Sequence, residues 1–139
     1  MIFQHTHAWI ISASPHTGHQ KTQTSRLAEG YTVWKGYKGR IERVSKNGRT
    51  RWHVGGDYAI QPGRGRKGVG RLVVTRIRQQ DVRTFTEEDA HREGFADLAG
   101  FLNVWCLMHD YAHRHASLAE LWQRPLDNYL AIVLEFEAR

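Results

Sequence analysis

The chain has 139 residues, 40% of them hydrophobic, which suits one domain spanning 1–139 and is too short for two ordinary ones. No apolar run approaches the roughly 18 to 20 residues of a membrane helix. The start "MIFQHTHAWIISAS" lacks the basic and long apolar stretches of a signal peptide, and the single cysteine, Cys106, excludes an internal disulfide. A soluble, cytoplasmic protein without a membrane partner is the expectation.

In chain order, "HAWIISAS", His7 to Ser14, reads as a strand. "PHTGHQKTQTSRL" follows as a turn and a polar connection, without an apolar residue until Leu27. Tyr31 to Tyr37 reads as a strand. "RIERVSKNGRTRWHV" is a hairpin, because Asn47-Gly48 supplies the two positive-φ residues of a type I′ turn between alternating strands. A short strand, Asp57 to Gln61, leads into the loop "PGRGRKGVG". Arg71 to Val82 is the longest strand, and its apolar residues break register near Thr75 or Arg76, which predicts a bulge. Thr86 before Glu87-Glu88-Asp89 predicts a helix N-cap with acids in the first turn, and Gly94 a stop. A longer helix follows, with Leu98, Phe101, Leu102, Trp105, Met108 and Ala112 on one apolar stripe. Tyr129 to Phe136 closes the chain as a strand. The fold class is mainly β with two or three helices (α+β), and a small, largely closed β-barrel flanked by helices is the economical way to hide so many strand edges.

Charge adds a functional clue. The net +6 is unevenly placed: residues 35–83 carry fourteen basic and three acidic side chains, and residues 84–139 carry four basic and ten acidic. The middle of the chain therefore carries the footprint of a polyanion partner. "GRGRKG", Gly63 to Gly68, matches G-x-G-x-x-G only formally, since a strand and not a helix follows it; a nucleotide cofactor is not expected, and Arg64, Arg66, Lys67 and Arg71 are read as phosphate contacts. Cys106, His109 and His113, with His115 close by, have a spacing that can hold zinc, but no second cluster of Cys or His completes the ligands, since His5, His7, His16 and His19 lie far off in sequence, and no metal is assigned. Trp34, Tyr37, Trp52 and Tyr58 lie among the cations, either as strand core or as base-stacking rings.

"KTQTSR", "GRLVVTRIRQQDV", "TFTEEDAHREGF", "FLNVWCLMHDY" and "AIVLEF", in that order from about Trp9 to Glu137, resemble the ASCH domain family. The more specific marks are Gly18, Lys21-Thr22 and Arg26, with Thr86-x-x-Asp89-Ala90-x-x-Glu93-Gly94-Phe95. The chain departs from the smallest members by a longer basic segment between Leu27 and Arg71. The resemblance implies a PUA-like β-barrel and an RNA or nucleoside partner. It is also similar to a branch of amidohydrolases acting on N4-acetylcytidine, whose Lys, Thr and Glu match Lys21, Thr24 and Glu93; that match implies these three as catalytic residues, with Arg26 as a substrate contact. The chemistry is coherent: a threonine hydroxyl needs a base to become a nucleophile, and a lysine becomes one when desolvation lowers its pKa. Geometry sets a condition, because residues three apart on a regular strand point to opposite faces. Lys21 and Thr24 converge only if a turn or bulge intervenes or the strand begins after Lys21.

Three readings stay open: an RNA-interacting domain with a polar cleft, an amidohydrolase using the same cleft, and a protein-interaction module using the acidic helices. DNA remains possible in place of RNA.

Overall fold

The computed structural model describes residues 1, 3, 6–12, 14, 17–109, 123 and 129–139. Its elements are α1 (His7–Ile11), β1 (Gln23–Leu27), β2 (Tyr31–Lys35), β3 (Ile41–Lys46), β4 (Arg49–His53), β5 (Asp57–Ile60), β6 (Gly70–Asp81), α2 (Glu87–Arg92), α3 (Leu98–His109) and β7 (Leu130–Ala138). The seven strands form one antiparallel sheet in the order β1-β7-β6-β3-β2, with β4 beside β3 and β5 beside β6. The chain is thus mainly β with three helices among the described residues.

The longest ladder joins β6 to β7, from Leu72 opposite Ala138 to Asp81 opposite Leu130, and slips between Val74 and Arg76. That is the bulge the apolar pattern predicts, at Thr75. The hairpin turn also forms as expected, with Asn47 at φ 53° and Gly48 at φ 74°. β7 explains its own composition. Ile132, Leu134 and Phe136 enter one core with Phe3, Val44, Leu72 and Val74. Ala131 and Val133 enter a second, with Val82, Phe85, Phe101, Leu102 and Trp105. A strand buried on both faces reads as a continuous apolar run.

α2 begins on a capping box: Asp89 N–H donates to Thr86 Oγ1 at 3.2 Å, and Thr86 N–H donates to Asp89 Oδ2 at 3.0 Å. α3 buries Phe101, Leu102, Trp105 and Cys106. Met108 departs from the expected stripe and is 59% exposed; Ala112 lies outside the described residues, as do His113 and His115.

Three sequence expectations are corrected. His7–Ser14 is not a strand: its first part is the helix α1, because a short apolar run fits either period and tertiary contact decides. Ile10 is wholly buried, and Trp9 packs edge-on against Phe95 at 6.3 Å. The polar connection is not all loop, since its last five residues are β1, paired along β7. The sheet also does not close into a barrel. β1 and β2 stand at the two ends of the strand path, and no ladder joins them among the described residues. The short turn between them carries Tyr31 N–H to Ala28 O at 3.0 Å. Closure depends on stagger and tilt summed over all strands, which no local pattern encodes.

Candidate functional site

The segment ahead of β1 is stitched to three elements. Lys21 N–H donates to Trp9 O and Thr22 N–H to Arg92 O, each at 2.8 Å, and Phe136 N–H donates to Thr22 O at 2.9 Å. This fixes Lys21 beneath the C-terminal end of α2. Glu93 caps that helix, and Gly94 reverses the chain at φ 94°, with Trp9 so close that a Cβ there would lie 2.7 Å from its ring. Lys21 and Glu93 therefore meet across 72 residues of sequence. Lys21 Nζ donates to Glu93 O at 2.9 Å and to Oε2 at 3.1 Å, and both side chains are buried.

Strand pairing decides what joins them. On β1, Gln23 and Ser25 share one face: Gln23 Nε2 donates to Glu93 Oε1 at 3.4 Å, and Ser25 Oγ to the same oxygen at 2.5 Å. Thr24 and Arg26, one pleat off, sit opposite Leu134 and Ile132 and belong to the other face. Thr24 is buried, and its Oγ1 accepts from Arg26 Nη1 at 3.2 Å. The structure thus brings together Lys21 and Glu93 and sets Thr24 on the far side of the strand. The polar group on the α2 side extends through residues that sequence reasoning did not single out. Arg78 Nη2 donates to Gln23 Oε1 at 3.1 Å and to Asp89 Oδ1 at 2.9 Å, and Arg78 Nη1 lies 3.2 Å from Glu135 Oε2. Strand parity carried a signal for Ser25, since it matches Lys21 and Gln23; nothing local marked Arg78.

Burial pushes the Lys21 ammonium below the ordinary lysine pKa, against the opposing pull of Glu93, and the nearby Arg26 charge lowers it further. Burial likewise lowers Arg26, while Glu93 and Tyr31 favour its charge. His109 is lowered by burial and by Arg26. Its ring packs on Trp105 at 4.4 Å. No group of three His, Cys, Asp or Glu suited to a metal occurs among the described residues.

Arg26 also borders a concavity of about 430 Å³, lined with Leu27, Glu29, Gly30, Tyr31 and Lys46. The Tyr31 ring carries Lys46 Nζ at 4.8 Å and is backed by Trp52 at 5.2 Å. The basic loop lies beyond Phe3, whose ring sits 5.6 Å from the Arg26 guanidinium and whose N–H donates to Gln61 O at 2.8 Å. Arg64, Arg66 and Lys67 are exposed and make no ion pair among the described residues. Arg71 is engaged: its Nε donates to Asp57 Oδ1 at 2.6 Å, and Arg139 bonds the other oxygen. Arg71 foremost, with Arg139, holds the Asp57 carboxyl below the usual carboxylate range.

No protein-family model matches the chain, and no curated protein matches it. In fold it is similar to the crystal structure of EF3133 from Enterococcus faecalis V583, described as DUF984, with a TM-score of 0.52 and 11% identity over 96% of this chain and 69% of that one. At that identity the likeness speaks for the fold alone.

Proposed function

We infer that the chain is an RNA-interacting domain of the PUA-like, ASCH type, which receives a base at the Tyr31 concavity and holds the backbone with the loop cations Arg64, Arg66 and Lys67. The observation that carries this reading is a concavity lined by an aromatic ring, Tyr31, and by two cations, Arg26 and Lys46. Unstacked bases pack on aromatic faces and guanidinium planes, while phosphates take the charges. A test measures RNA retention against salt. Each phosphate contact contributes about −0.7 to the slope of log K against log salt for single strands, so replacing Arg64, Arg66 and Lys67 by Ala together flattens that slope by about 2. Wild-type affinity that ignores salt contradicts the reading.

The second reading is the amidohydrolase of N4-acetylcytidine or a similar small amide. It is supported by the buried Lys21–Glu93 pair, in which a lysine with a depressed pKa has the property a general base needs. Release of acetate from N4-acetylcytidine tests it, with Thr24→Ala and Ser25→Ala compared. With Thr24 as the nucleophile that the resemblance implies, Thr24→Ala abolishes turnover, although its hydroxyl lies on the opposite face of β1 from the Lys21–Glu93 pair. Turnover lost in Ser25→Ala but kept in Thr24→Ala moves the nucleophile to the hydroxyl that bonds Glu93.

A further inference from the structure

The unit β2–β3–β4 has two faces. Tyr31, Val33, Val44 and Trp52 turn toward the core and the concavity. Trp34 and Arg43, opposite each other on β2 and β3, belong to the other face. Trp34 is 46% exposed there, and Tyr37, in the connection that follows β2, is 78% exposed. Among the described residues, these two are the aromatic members of the exposed large hydrophobic side chains.

Neither ring hangs from a loose tail. Trp34 Nε1–H donates to Ser45 Oγ at 2.9 Å, and the Arg43 guanidinium lies 4.2 Å from the ring centroid. Tyr37 sits in a closed connection, where Gly36 N–H donates to Arg40 O at 2.8 Å and Gly39 N–H to Gly36 O at 3.1 Å. Lys38, at φ 56°, brings its Nζ to 5.4 Å from the Tyr37 ring. The surrounding charge is of one sign. Residues 31–53 carry seven Lys and Arg against a single acid, Glu42, and of the seven Lys46 faces the concavity. None of the seven makes an ion pair among the described residues.

We propose that this outer face is a stacking platform for single-stranded nucleic acid, separate from the Tyr31 concavity behind it. The proposal rests on the nucleic-acid reading above and adds a second contact surface to it. The chemistry selects the ligand. Unpaired cations take phosphates, and exposed rings, each with one cation over it, take the flat faces of unpaired bases, which a duplex hides. Such stacking tolerates any base, so the platform adds affinity without sequence preference.

The test is binding of an oligouridylate of about 12 nucleotides, within the usual single-strand site size of about 4–16. Heparin is the polyanion without bases, and phosphatidylserine vesicles are the anionic membrane. Wild type is compared with Trp34→Ala/Tyr37→Ala, with Tyr37→Ala alone, and with Lys46→Ala in the concavity, each checked for a retained melting transition. The expected result is a loss of about tenfold to several hundredfold in oligouridylate affinity for the double variant, with heparin binding unchanged. Tyr37→Ala, at the most exposed ring, gives about a tenfold loss even if the double variant fails to fold. At saturating oligonucleotide, tryptophan quenching persists in Lys46→Ala, whose affinity falls with its lost cation, and is reduced in Trp34→Ala/Tyr37→Ala. If Tyr37→Ala and the double variant bind as wild type does, the platform is refuted while the nucleic-acid reading stands. Vesicle binding without oligouridylate binding, or no binding by wild type at all, overturns both.

Discussion

Strand β6, with its exit turn, and the hairpin β3–β4 are both rich in arginine, yet they use it differently. Along β6 the cations are neutralised from within: Arg71 by Asp57, Arg76 and Arg78 by Glu135, Arg78 also by Asp89, and Arg83 by Asp81. On the hairpin, Arg43, Arg49 and Arg51 meet no acid within ion-pair distance among the described residues. In sequence the two regions add to one basic block. In the fold, the first is mostly paired within the sheet and its helices, and the second, with the β2–β3 connection and the β5–β6 loop, keeps cations that make no ion pair among the described residues. A charge count locates a polyanion surface only after the intramolecular pairs have been removed from it.

The contrast predicts opposite responses to substitution. The largest effect is at the buried pair. Glu93→Leu strands the Lys21 ammonium and removes the acceptor of Ser25 and Gln23, so a loss of about 3–5 kcal/mol is expected in urea unfolding. Lys21→Met/Glu93→Leu recovers most of it, since an apolar replacement of a buried pair is often neutral or better. A double variant as unstable as the single would show that the pair itself, and not the orphaned charge, sets the stability.

Next is Gly94→Ala, which places a Cβ against Trp9 at a φ that side chains rarely adopt. It costs about 1–3 kcal/mol, read as a lower melting temperature, and it also displaces Glu93. An unchanged transition would mean that Trp9 yields freely.

The pH dependence of Lys21 is the third. Its folded pKa lies below the ordinary 10.5, so between the two values the unfolded chain binds more protons and stability rises with pH. Melting of wild type relative to Lys21→Met should therefore improve as pH is raised through the alkaline range toward 10.5. A constant difference would place the lysine pKa at its ordinary value.

The smallest effect belongs to the open surface. Arg49→Gln/Arg51→Gln should change stability by no more than about 0.5 kcal/mol per site. Added salt, which screens the mutual repulsion of the hairpin cations, should raise the melting temperature of wild type more than that of this variant. Equal salt responses would show that the hairpin charges do not act on one another.

Much of the fold was legible because its signals are local. Asn47-Gly48 makes its turn, Thr86 and Asp89 make their box, and the apolar slip at Thr75 becomes the bulge. The site was legible in part. Lys21 and Glu93 could be paired only through a resemblance, since no spacing rule links residues 72 positions apart. β1 was obscured because its first residues are polar, Gln23 and Thr24 buried and Ser25 half-buried, with Glu93, Arg26 and their neighbours answering their hydrogen bonds, so hydropathy gave no strand signal.

The sequence by itself determined turns, caps and the bulge, because each depends on residues a few positions apart. Only the tertiary structure decided that α1 is helical, that Thr24 turns away from Glu93 while Ser25 turns toward it, that the sheet stays open between β1 and β2, and which arginines remain unpaired. Those outcomes depend on register and on partners distant in the chain, and a shift of one residue in pairing reverses every side chain on a strand.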